Sequence, residues 1–184
     1  MTTMIYRPDG DVGQARATLA PSPSSLTGLR ISVLDNGKPN ASLLMTRIAE
    51  SLAARTGAQV SVVLKKGPRG ESANAAIPCA PDIFERIVAQ SDIVITGTAD
   101  CGSCTAYSVY DGIELEKAGR PAVVVTTTHF RPIAETMAQL FGLPELRTLV
   151  LPHPIGGTDP DTLYRWADAA IDDVIALCTR RVAA

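Results

Sequence analysis

The sequence predicts an α/β protein: a three-layer α/β/α sandwich around a mainly parallel five-stranded sheet. Three observations carry this reading. Short runs that are apolar almost throughout alternate with longer amphipathic segments from residue 29 onward. Runs of that kind bury both faces, as parallel strands do when helices cover each side of the sheet. The boundaries also carry helix signals, such as Pro81 at one opening and Gly119 at one end.

Residues 1–28, ending in LAPSPSSLTG, are rich in Pro, Ser and Gly without sustained periodicity. They read as an N-terminal arm suited to packing on a partner subunit, ahead of a single α/β domain over 29–184. LRISVLD (29–35) is the first strand, and Leu44, Ile48 and Leu52 mark one face of the helix after it. AQVSVVLK (58–65) is the second strand, and PDIFERIVAQ (81–90) a helix opened by Pro81. DIVITG (92–97) is the third strand, followed by a helix that ends at Gly119. PAVVVTTT (121–128), RPIAETMAQLFG (131–142) and LRTLVLP (146–152) supply strand, helix and strand. One last helix runs through PDTLYRWADAAIDDVIALC (160–178), with Trp166 on a packing face beside Leu163, Ala170 and Val174. With right-handed crossovers, five such strands predict the flavodoxin-like order 2-1-3-4-5.

Composition narrows the function. With 184 residues, 46% hydrophobic and 20% charged, the chain is long enough for one well-buried domain. A net charge of -2 with scattered Lys and Arg leaves no basic face for a phosphate backbone, so nucleic acid is not an expected partner. Apolar runs are of strand length, which predicts no membrane span. MTTMIYRPDGDVGQ has acids and a proline where a secretory signal needs an apolar stretch, so the expected location is cytoplasmic. The arm and the apolar composition are compatible with a homo-oligomer. Of four cysteines, Cys79 and Cys178 lie far from the close pair Cys101 and Cys104, unlike a secreted disulfide framework. In a reducing compartment a close pair points to reactivity or metal binding.

Ligands in such sheets bind at the carboxyl ends of the strands. The unusual polar residues fall there: DNGKPNAS after strand one, TADCGSCT after strand three, TTTHF after strand four and LPHPIGGTD after strand five. Cys101 would sit just before a helix whose unpaired N–H groups favour a thiolate. Gly102 allows close approach, and Ser103 and Cys104 lie in the first turn. Lys38 would pair with a substrate carboxylate or with the thiolate, or stand solvated in its loop. His153 would move a proton for a leaving group. Asp35, Asn36, Gly37, Gly102, Ser103, Thr105, His129 and Gly156 are the expected substrate contacts. Turn and cap roles account equally for Gly37, Pro39 and Asn40, with Asn40 or Ser42 capping the first helix and Asp159 or Thr158 the last. Tyr107, Tyr110 and Asp111 read as helix residues beside the cleft.

Three separated stretches, ISVLDNGKPNAS, GTADCGSCTAYSVYDGIELEKAGRPAVVV and LPHPIGG, resemble the UGSC family of (seleno)proteins over most of residues 30–157. In that family the first position of the Cys-Gly-Ser-Cys motif can be selenocysteine. The central stretch is also similar to the selenocysteine segment of the selenoprotein subunits of glycine, sarcosine and betaine reductases. The resemblance implies that Cys101 holds the selenocysteine position and is a nucleophile or redox centre. Cys104 then matches the second motif cysteine, and Asn36, Lys38 and His153 match motif positions. His129 stands where the group has a less basic residue.

The expected function is therefore a cysteine-dependent enzyme. Cys101 attacks a small polar or anionic substrate through a covalent intermediate, assisted by Cys104, His153 and Lys38. One alternative is a thiol–disulfide protein cycling Cys101–Cys104 with a thiol reductant or redox partner protein. Another is a binding module in which Cys101, Cys104, His129 and His153 hold zinc. The preferred reading calls for no cofactor and no metal.

Overall fold

A computed structural model describes residues 16–65 and 75–180. The elements in chain order are β1 (Arg30–Asp35), α1 (Ala41–Thr56), β2 (Gln59–Leu64), α2 (Pro81–Gln90), β3 (Ile93–Ala99) and α3 (Gly102–Lys117). They continue as β4 (Ala122–Thr127), α4 (Arg131–Leu140), β5 (Thr148–Leu151), α5 (Pro160–Ala169) and α6 (Ile171–Thr179). The strands pair in parallel in the order β2-β1-β3-β4-β5, as expected. The winding reverses between β1 and β3, so the loops after these neighbouring strands open side by side at the carboxyl edge.

Alternation along the strands builds a core on each face. Ile31, Val33, Ile95 and Val125 pack with α1, α5 and α6, while Leu34 and Val94 pack with α2, and Val124 with α3 and α4. Each such side chain contributes about 1.5–3 kcal/mol by leaving water. Leu44, Ile48 and Leu52 of α1 are fully buried on the expected face. Helix α3 packs tightly on the sheet at Gly112, where a Cβ would stand 2.5 Å from Val124 Cγ2. Only glycine leaves room for that approach.

Three features depart from the sequence reading. The last helix divides at Ala170, whose N–H reaches the carbonyls of both Trp166 and Ala167. The three-residue bond tightens the turn at which α5 ends and α6 begins. The apolar series Leu163, Ala167, Ala170, Val174 and Cys178 stays buried across the break, so periodicity did not reveal it. Second, among the described residues β2 is an edge strand of the sheet, and its Val62 is exposed. Third, residues 16–28 of the arm pack on their own chain: Leu19 joins the α3–α4 core and Leu26 the α1 core. Residues 1–15 lie outside the described residues. Among the described residues, no helix is long and apolar enough to cross a membrane.

Candidate functional site

Strand β3 ends at Ala99, and two residues later the chain enters α3. Cys101 is the N-cap residue, extended at φ -150° and ψ 167°, with no side-chain cap bond. Thr105 N–H is the first to close the helix, donating to Cys101 O at 3.0 Å, and the Thr105 hydroxyl donates to the same oxygen at 2.5 Å. The N–H groups of Gly102, Ser103 and Cys104 therefore have no intrahelical partner. Gly102 and Ser103 are exposed, Cys101 partly exposed and Cys104 buried. Nothing lies within 4 Å of where a Cβ on Gly102 would stand. The Cα atoms of Cys101 and Cys104 are 5.5 Å apart and their sulfurs 2.27 Å apart.

Asp100 ties this turn to two other loops. Its side chain is 6% exposed; Lys38 Nζ stands 3.7 Å from Oδ1, and Gly156 N–H donates to Oδ2 at 3.4 Å. Cys104 Sγ lies 3.9 Å from Oδ1. Lys38 reaches this place because Gly37 turns the chain at φ 75°, with Gly37 N–H donating to Asp35 Oδ1 at 2.9 Å. Burial pushes the Asp35 carboxyl above its usual range, against hydrogen bonds from Gly37 and Ser42 that pull it down. Asn36 is buried: Nδ2 donates to Thr98 O at 3.0 Å and to Ser108 Oγ at 3.3 Å, and Oδ1 accepts from Lys38 N–H. Asn40 is the N-cap of α1 at φ 65° and makes no cap bond. Its Nδ2 instead donates to Ile155 O and Thr158 O, both at 2.9 Å, and holds the loop after β5.

His129 and His153 stack at the rim, with ring centroids 5.0 Å apart and planes 25° from parallel. Phe130 packs at 5.4 Å from the first and 5.6 Å from the second. Thr127 Oγ1 is 3.2 Å from His153 Nδ1. Both histidines are exposed. Among the described residues no group of three or more His, Cys, Asp or Glu side chains is placed to share a metal ion, so the four residues of the zinc alternative do not converge.

The UGSC family model matches residues 4–180, including the Cys101-Gly102-Ser103-Cys104 turn. The chain belongs to the UGSC family. No curated protein matches it. Among solved structures, the microcin C7 self-immunity protein MccF, as an inactive apo mutant, is 15% identical with a TM-score of 0.46 over 90% of this chain and 48% of its own. A short-chain flavodoxin associated with a PDU bacterial microcompartment is 10% identical with a TM-score of 0.41, covering 79% of this chain and 98% of its own. Elongation factor SelB from Methanococcus maripaludis is 10% identical with a TM-score of 0.41 over 87% and 36%. The chain thus spans about half the length of MccF.

In this UGSC protein the expected site residues separate into two groups. Asp35, Asn36, Cys104 and Thr105 are buried and bond within the protein. Cys101, Gly102, Ser103, Gly37, Lys38, His129, His153 and Gly156 keep some exposure at the carboxyl edge. The sequence reading missed Asp100, although it directly precedes the motif at a strand end. It named Asn40 or Ser42 as the cap of the first helix; Asn40 holds that position, but its side chain serves as the strut between loops. Asp159, named as a cap, does accept from Thr162 N–H at 2.9 Å.

Proposed function

We propose that this protein is a thiol-dependent enzyme in which Cys101 attacks a small polar or anionic organic molecule and holds it as a covalent intermediate. One observation carries the reading: a partly exposed cysteine at the N-cap of a 16-residue helix, on the open edge of a parallel sheet. The unpaired N–H groups and helix dipole favour the thiolate over the thiol. The Cys101 sulfur forms a bond to a substrate carbon while that carbon's bond to its leaving group breaks, the pair departing with the group. His153 supplies the proton the leaving group needs, and Lys38 and the first-turn N–H groups receive the substrate's negative charge. The sequence resemblance of the Cys-Gly-Ser-Cys motif to selenoproteins would put Cys101 at a selenocysteine position. Selenium at that position serves chemistry rather than packing.

A second reading, cycling between dithiol and disulfide with a thiol reductant or redox partner, is favoured by one distance. The 5.5 Å between the Cα atoms of Cys101 and Cys104 lies within the range a disulfide spans. Intact-mass measurement with candidate electrophiles separates the two readings. A substrate-sized adduct lost in Cys101→Ser supports the covalent reading, and an adduct that persists in that variant removes Cys101 from it. Loss of two mass units without an adduct supports cycling. Iodoacetamide labelling provides the internal control: Cys101 should label far ahead of Cys178, whose thiol burial pushes up to about 12. Equal labelling would mean that the helix terminus does not activate Cys101.

A further inference from the structure

The two sulfurs of the pair sit in different electrostatic surroundings. Cys101 caps the helix, whereas Cys104 is 1% exposed, its sulfur 3.2 Å from the Cys101 carbonyl oxygen and 3.9 Å from Asp100 Oδ1. Asp100 is itself enclosed and oriented by Gly156 N–H, and Lys38 stands 3.7 Å from the same Oδ1. A negative charge at that distance from a buried sulfur opposes a second negative charge there. Lys38, with 27% of its side chain exposed, tempers the repulsion without removing it.

We propose that Asp100 is the positioning residue that makes the pair unequal: its carboxylate, moderated by Lys38, keeps Cys104 protonated while Cys101 carries the charge. The reduced site then holds one thiolate and one thiol, so a single sulfur attacks and a proton stays beside it. This rests on the reading of Cys101 as the attacking sulfur. Of the other titratable groups at this edge, Asp35 ends β1, Tyr107 stands one turn along α3 and is turned toward Lys65, and the histidine pair lies on the β4 and β5 loops.

The test follows the pH dependence of Cys104 alkylation, by peptide mapping, in the full chain carrying Cys101→Ser. That background isolates Cys104, so the result does not depend on whether Cys101 proves to be the nucleophile. Adding Asp100→Asn, which keeps an acceptor for Gly156 N–H, should lower the Cys104 midpoint by about one to two pH units. Adding Lys38→Met instead should raise it. Opposite shifts are not expected if Asp100 only shapes the loop. A midpoint unmoved or raised by Asp100→Asn overturns the proposal. Should that variant not fold, a midpoint left in place by Lys38→Met overturns it equally.

Discussion

At the amino edge of the sheet Glu116 and Arg147 are fully enclosed, and each of their polar atoms has a fixed partner. Glu116 accepts from Arg147, from Ala122 N–H at 2.8 Å and from Ala20 N–H at 2.6 Å. Arg147 also donates to Leu177 O, Ala20 O and Ser22 Oγ at 2.8–3.0 Å. At the carboxyl edge, Asp100 and Lys38 stand 3.7 Å apart with the lysine partly in solvent, beside a cysteine pair and two exposed histidines. The first arrangement joins the arm, α3, β4 and α6 and leaves no group available to a ligand. The second leaves helix-end N–H groups without an intrahelical partner and charged side chains within reach of solvent, as a site that must receive a substrate requires. Buried charge stabilises only when it is completely paired; incomplete pairing at an accessible edge is what makes chemistry available.

The largest expected effect tests that contrast directly. Arg147→Met leaves Glu116 buried without its partner and should cost about 3–5 kcal/mol in urea unfolding. Lys38→Met should cost less than about 1 kcal/mol. Similar losses at the two edges would erase the distinction. A smaller effect concerns how the open edge is held together. Asn40→Gly suits the backbone at φ 65° but removes the bonds to Ile155 O and Thr158 O, and should cost about 1–2 kcal/mol. Unchanged stability would show that the loop after β5 holds its place without this strut.

The smallest effect is one of sign. Burial raises Asp35, at the carboxyl edge, so its contribution to stability is fully present below the unfolded carboxylate value and is lost as pH rises through the folded one. Relative to Asp35→Asn, the parent protein should lose stability from acid toward neutral pH by about 1.4 kcal/mol per unit of elevation. Asp92, just before β3 at the amino edge, is held down at about 2 by its hydrogen bond with Arg30. Its contribution is present above the unfolded value of about 4 and is lost as pH falls through about 2. Denaturation of Asp35→Asn and Asp92→Asn across pH should therefore give difference curves that slope in opposite directions. Parallel slopes would contradict the two assignments.

Much of the fold was legible because strand and helix patterns are local. The apolar runs of β1, β3 and β4, the buried face of α1 and the turn into α3 all depend on side-chain order within a few residues. The buried ion pairs were harder to see. Glu116 reads as one charge in IELEKAG, yet it follows Val109 and Ile113 at helical spacing on the buried side of α3, a signal that was present. Asp111, read as a helix residue beside the cleft, is buried against Lys65 at 2.6 Å. Arg147 carried no comparable signal, because its partners come from the arm, α3 and α6.

By itself the sequence determined the layer architecture and the gathering of Cys101, Lys38, His129 and His153 on one edge. Hydrophobic period and crossover handedness act through neighbours along the chain and leave few alternatives. Tertiary structure alone decided which polar residues face outward and which become struts. It turned Asn36 and Asn40 into braces, set Asp100 against Cys104, and divided the last helix at Ala170. Those outcomes depend on distances between loops far apart in sequence, and no local pattern encodes such distances.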